Sequence, residues 1–381
     1  MMRNFFFLFT LLICSLFISC AGDDAPGMAS EANVGVPAIS WSTQISSLGS
    51  IDVEWSNGDK LLITGDYTGN PGITGLQQVT QGIRNGFLLQ MDQSGQIEAT
   101  MDLGLQVFHD LNYLSFLPNG NPIVSGKAVG FQNVMYLELN PATNTQVANQ
   151  EISGSGNDKP AGIAIDQEGN IILGGIFNGT VRLENGDTFL GNILGSAAIV
   201  KYNASGEVLW SLPSPPAPAS SIRGLGVDNS GNIYCYECIA DMISLKKISP
   251  AGALIYTNES LGSCGYGLEV VNDSEIYLNT VSDILRIDGE ANIQWTVAST
   301  TQLQDIAVKN GRIVVAGNNF SGGQFGPIEA LVRSNYFMAS LTTDGRLEWL
   351  STEIPATDVS LSADGTIAFA NHATGMIGVL E

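Results

Sequence analysis

"VKYNASGEVLW", residues 200–210, decides the fold. Val200 to Tyr202 read as the end of one strand, Asn203 to Gly206 as a tight turn, and Val208 to Trp210 as the start of the next strand. An Asx start and a glycine end are the chemistry of a short hairpin turn. The outline returns as "LLQMDQSGQIEA" (88–99), "LKKISPAGALIY" (245–256) and "ASLTTDGRLEW" (339–349), and more loosely as "YLELNPATNTQV" (136–147) and "LRIDGEANIQW" (285–295). A second strand–turn–strand outline alternates with it. Its copies are "SIDVEWSNGDKLLITG" from Ser50, "YLSFLPNGNPIVSG" from Tyr113, "GIAIDQEGNIILGG" from Gly162, "GLGVDNSGNIYCYE" from Gly224, "GLEVVNDSEIYLNT" from Gly267, "DIAVKNGRIVVAG" from Asp305 and "DVSLSADGTIAFAN" from Asp358.

Alternation of the two outlines makes each unit a four-stranded antiparallel meander, with strands a, b, c and d in chain order. The ends of strand b fall at Gly65, Gly126, Gly175, Glu237, Thr280, Gly317 and Asn371, at intervals of 37 to 62 residues. A four-stranded unit at this period is the blade of a β-propeller. The fold expected is therefore all-β, with seven blades in one domain over residues 39–381, although a length of 381 residues alone would suggest two or three domains. The seventh unit lacks a strand d, while "ISWSTQI" (39–45) is a strand d with no unit before it. Trp41 matches Trp210, Trp295 and Trp349, all in strand d. Residues 39–45 are expected to complete the last blade and close the ring, which leaves no open sheet edge between the chain ends. Strand a alternates large and small residues (Ile163, Ala164, Ile165; Leu225, Gly226, Val227), which suits crowding near an axis.

Composition agrees. Charged residues are 14% and glycines number 44, a mix that suits short strands and tight turns. Net charge is −22, and −23 once Arg3 leaves with residues 1–19. That excludes electrostatic binding to nucleic acid or to anionic membrane. Residues 5–18, "FFFLFTLLICSLFI", follow Arg3; the run is too short for a membrane span and has the size of a signal-peptide core. Residues 21–38 are small and polar and read as a flexible tether.

The junction "LFISCAGDD" resembles a bacterial lipoprotein signal. The resemblance implies cleavage after Ser19 and lipidation of Cys20, with the body anchored at the outer membrane through that lipid alone; Phe17 stands where the family usually has leucine. Ordinary secretion is the alternative. Asp23 and Asp24 resemble the acidic tags of surface-exported lipoproteins. The unit "GNIILGGIFNGTVRLENGDTFLGN…AAIVKYNASGEVLW" looks like the SBBP-type repeat, a bacterial seven-bladed propeller repeat, echoed in the first and sixth blades. The G-x-x-x-W endings at Trp210 and Trp349 are also similar to quinoprotein blades, but no further residue carries the quinone over, so no cofactor is expected.

In a meander ring the d-to-a and b-to-c connections share one end, and the a-to-b and c-to-d turns share the other. Cys238 and Cys264 fall at the first end on adjacent blades, so a Cys238–Cys264 disulfide is expected in an oxidising compartment, with Cys235 buried and free. Three cysteines without a neighbouring histidine do not make a zinc site, and "DNSGN" and "DQEGN" read as a-to-b turns, so no metal is expected. His109, Asp110, Arg223, Tyr266, Asp305, Asp358 and His372 map to the loop-rich end, around the axial mouth. Asn185–Gly186 predicts an extra hairpin in blade three, either projecting as a partner surface or extending the blade. The functional expectation is a monomeric, non-catalytic binding or scaffold propeller for a protein or glycan partner. The alternative is an envelope hydrolase or lyase using His109, His372 and nearby aspartates.

Overall fold

The computed structural model describes residues 32–46, 48–56, 59–80, 83–105, 108–128, 133–216, 218–319, 323–331 and 334–381. The signal segment, Cys20, Asp23 and Asp24 lie outside the described residues, as do the side chains of His109 and Asp110. Among the described residues there are thirty strands and no helix. They form seven four-stranded antiparallel blades over residues 48–105, 108–154, 159–213, 220–258, 264–298, 302–351 and 358–380, the last completed by Ile39–Gln44. Strand a of every blade touches strand a of both neighbours, so the seven innermost strands form a closed ring.

Turn chemistry fixes the hairpins. Asn203 Oδ1 accepts the Ser205 and Glu207 amides, each at 2.9 Å. Asp228 Oδ1 does the same for Ser230 (2.8 Å) and Asn232 (2.9 Å), and Asp166 Oδ1 for Glu168 (3.0 Å) and Asn170 (2.9 Å). Both acidic loops are thus a-to-b turns.

Closure joins the two ends of the chain. Ile39 lies opposite Leu380, Trp41 opposite Val379 and Gln44 opposite Met376. The pairing begins upstream of the strand. Asn33 donates its amide to the Leu350 carbonyl (2.6 Å) and accepts the Thr352 amide on Oδ1 (2.8 Å), and Val36 packs beside Trp349 and Ile354. Residues 33–36, which read from composition as tether, are therefore docked across blades six and seven.

Tryptophans lock blade to blade. Trp41, Trp210 and Trp295 each donate Nε1 to a carbonyl in the next blade's c-to-d turn: Gln93 (2.7 Å), Pro250 (3.0 Å) and Thr343 (2.8 Å). Each indole lies on that turn's glycine. Trp349 faces blade seven, whose strands c and d have no connecting turn, and packs with Val36 and Leu380 at the seam instead. The buried Lys201–Asp166 pair (2.9 Å) adds to the third joint, because Lys201 also reaches the Pro250 carbonyl (3.2 Å).

In blade three, strands Ile171–Arg182 and Thr188–Tyr202 run on beyond the blade to a turn at Asn185–Gly186. This hairpin extends the blade. Val181 and Arg182 pair with Gly154 and Ser153 of blade two, so it braces two blades. The disulfide Cys238–Cys264 ties the end of strand b in blade four to the start of strand a in blade five. Cys235 is buried with its thiol free, and burial pushes its pKa up.

Candidate functional site

Each innermost strand presents one equivalent position to the axis, just before a branched residue. From blade one to blade seven the occupants are Asp52, Tyr113, Gly162, Gly224, Gly267, Asp305 and Asp358. In six of the seven blades the position makes the joint to the next blade, and it does so in two ways. In blades three, four and five a glycine admits the neighbour's side chain: a Cβ on Gly224 would stand 2.3 Å from Leu268 Cβ, and one on Gly267 would stand 3.0 Å from Ile306. In blades six, seven and one an aspartate reaches across to a backbone amide. Asp305 accepts from Val359 (2.8 Å), Asp358 from Val53 (2.7 Å) and Asp52 from Leu114 (2.5 Å). Two of these staples flank the blade closed by the chain ends, and the third joins blades one and two.

The ring encloses an axial cavity of about 620 Å³ to which all seven blades contribute. Its chemistry is lopsided. On the side of blades six, seven and one stand Asp305, Asp358, Asp52 and Glu54; Glu269 and Lys309 face the same space. Burial, reinforced by the charges of Glu54 and Asp305, holds Asp52 well above the usual carboxylate range. Burial and the charges of Asp52 and Asp305 do the same for Asp358, and burial raises Asp305. Burial lifts Glu54 to about 7, and Glu269 to about 8 with help from Glu54 and Asp305. The three aspartates act on one another: the charges of Asp52 and Asp305 raise Asp358, and that of Asp305 raises Asp52. Among the described residues no three His, Cys, Asp or Glu side chains are placed to hold a metal ion.

Arg223 and Tyr266 stand at the mouth on the opposite side. Strand a of blade four bulges between Ile222 and Gly224, and Arg223 is the extra residue; a bulge re-aims its side chain out of the strand's alternation. The Arg223 guanidinium lies 4.4 Å from the centre of the Tyr266 ring. Its Nε is buried without a hydrogen-bond partner, and no carboxylate pairs with it among the described residues. Gln304, bulged in the same way in blade six, also lines the cavity.

Of the seven mouth candidates, the structure brings Arg223, Tyr266, Asp305 and Asp358 together around one cavity. His372 is exposed, away from that lining, with Nδ1 3.2 Å from Thr357 Oγ1. The His109 backbone, in strand a of blade two, pairs with Lys127 of strand b. Sequence reasoning passed over Asp52, Glu54, Tyr113, Glu269 and Lys309. The signal that could have found Asp52 is the Asp-Val or Asp-Ile that recurs in strand a of blades one, six and seven.

A second cavity, about 590 Å³, opens at the loop-rich end between blades three and four. Lys159, Asn178, Ile193, Leu194, Asp241 and Arg223 are among its walls, so Arg223 is common to both cavities.

The architecture is that of the seven-bladed β-propellers. No family model matches the chain, and no curated protein matches its sequence. Among solved structures it is similar to the WD40 propeller domain of Doa1 (TM-score 0.59, 13% identity, 91% of this chain and 97% of that one). It is similar also to virginiamycin B lyase from Staphylococcus aureus (0.55, 13%, 89% and 98%) and to BamB from Moraxella catarrhalis (0.51, 12%, 91% and 100%). Identities this low carry the fold alone; these propellers include a lyase and WD40 domains.

Proposed function

We propose that the chain is a non-catalytic binding propeller, anchored at the cell envelope by a lipid on Cys20, which engages a protein partner with its loop-rich end. The observation that carries this is the sharing of Arg223 by the axial mouth and the groove between blades three and four, which makes one continuous surface. Its rim exposes Ile193, Leu194, Met242 and Tyr266. Arginine and aromatic side chains beside exposed apolar ones are typical of protein-binding surfaces; a glycan would call for fewer aliphatic groups. The cavity aspartates speak against the hydrolase or lyase reading, because each accepts a backbone amide of the next blade and is thereby committed to the joint.

The N-terminal segment fits the same orientation. Asn33 meets the end of strand d in blade six, at the loop-rich end. With Cys20 lipidated, the intervening residues span at most about 47 Å, which would keep this end towards the membrane. A photo-crosslinking residue placed at Met242, at the loop-rich end, is expected to capture a partner in intact cells, while one at Thr343, on the opposite end, is not. Capture should survive in the His109→Ala/His372→Ala chain. Capture at Thr343 alone would overturn the reading.

A further inference from the structure

We infer that the groove between blades three and four receives an extended peptide of the partner in which a carboxylate stands beside a large apolar residue, the carboxylate bound by Arg223 and Lys159 and the apolar side chain by Ile193 and Leu194. The inference rests on the proposed function and specifies its contact.

Two independent features meet here. The first is a built apolar projection. Strand c of blade three makes a four-residue excursion, Asn192 to Gly195, opposite the single residue Asn178 of strand b. Ile193 and Leu194 at its tip are 87% and 78% exposed. A polar frame fixes the excursion. Asn178 Nδ2 donates to the carbonyls of Ile193 (2.9 Å) and Asn192 (3.3 Å), the Leu194 amide donates to Asn192 Oδ1 (3.0 Å), and the Asn192 amide donates to Ser196 Oγ (2.9 Å). Folding gains nothing from holding two aliphatic side chains in water, so the frame serves presentation.

The second feature is charge. The chain carries 37 acidic residues against 15 basic, so two cations lining one groove stand out against an acidic background. Lys159 and Arg223 both line this groove, and neither forms an ion pair among the described residues. One carboxylate, Asp241, also lines the groove, on the blade-four side with Arg223. The groove is thus a locally positive slot on an acidic molecule, complementary to an anionic segment and repellent to a basic one. Arg223 offers a planar fork already stacked on Tyr266, so binding a carboxylate costs little further ordering. The disulfide Cys238–Cys264 stiffens the wall formed by blade four.

The test uses two fluorescein-labelled nonapeptide pools read by anisotropy against the full chain. One mixes Asp and Glu with Leu and Phe; the other mixes Lys and Arg with the same apolar residues. The acidic pool is expected to bind, and to lose at least tenfold in affinity with Arg223→Glu, with Lys159→Glu and with the Ile193→Ser/Leu194→Ser chain. Arg223→Gln serves where the charge reversal unfolds the protein. Acidic-pool binding indifferent to these substitutions, or basic-pool binding lost with Ile193→Ser/Leu194→Ser, would overturn the inference. A partner captured at Met242 regardless of Arg223 and Lys159 would overturn the groove assignment and leave the proposed function standing; capture at Thr343 alone would remove both.

Discussion

Gly252 shows how one residue serves two blades. Its φ is +86°, and a Cβ there would lie 2.8 Å from the Trp210 ring. The turn glycine receives the previous blade's tryptophan, as Gly95 receives Trp41 and Gly345 receives Trp295. Gly186, at the tip of the blade-three hairpin, has a similar φ of +91° but open space around it. Gly252→Ala is therefore expected to cost about 1–3 kcal/mol in backbone strain plus the displaced indole and its bond to Pro250, whereas Gly186→Ala carries the strain alone. Urea unfolding of the two variants checks this; equal losses would mean that the Trp210 contact contributes nothing. The tryptophans were legible in the sequence as matching strand-d residues. Their partners were not, because a turn glycine reads the same whether or not a ring rests on it.

The innermost strands raise a question of protonation. Asp305, Asp358 and Asp52 staple blades six, seven, one and two in succession, and their pKa values are raised by burial. Such a group binds more protons folded than unfolded. Its contribution is complete below about pH 4, the unfolded value, and is lost as pH rises through the folded value. With Glu54 at about 7 and Glu269 at about 8, the loss extends past neutrality. Calorimetry is expected to show Tm falling by at least about 3 °C between pH 5 and pH 8. Asp358→Asn, which keeps an acceptor for the Val53 amide, should flatten the fall; a Tm that rises over this interval would contradict the account. These staples escaped the sequence reading because an aspartate before a branched residue looks like the edge of a turn. Arg223 was legible at the axial mouth, but its share in the second groove was not, because one bulged residue breaks the period of two that tells inward from outward. The blade-three hairpin was legible at Asn185–Gly186, but its pairing with blade two joins residues near 153 and 182, and no local pattern reveals such a contact.

At the scale of the molecule, the blade count and the closure followed from counting outlines, because a repeat that stacks on itself leaves the same strand–turn chemistry in every unit. The distribution of joints around the ring did not. The glycine joints run from blade three to blade six, and the aspartate staples run from blade six through blade seven, where Ile39–Gln44 supplies the outer strand, to blades one and two. The central claim is that this strand closes the ring. Thermal unfolding of chains beginning at residue 32 and at residue 46 tests it most directly. The first is expected to melt cooperatively at a high temperature, and the second to melt far lower or to aggregate through the unpaired edge of Met376–Leu380. Superimposable melting curves would contradict the closure.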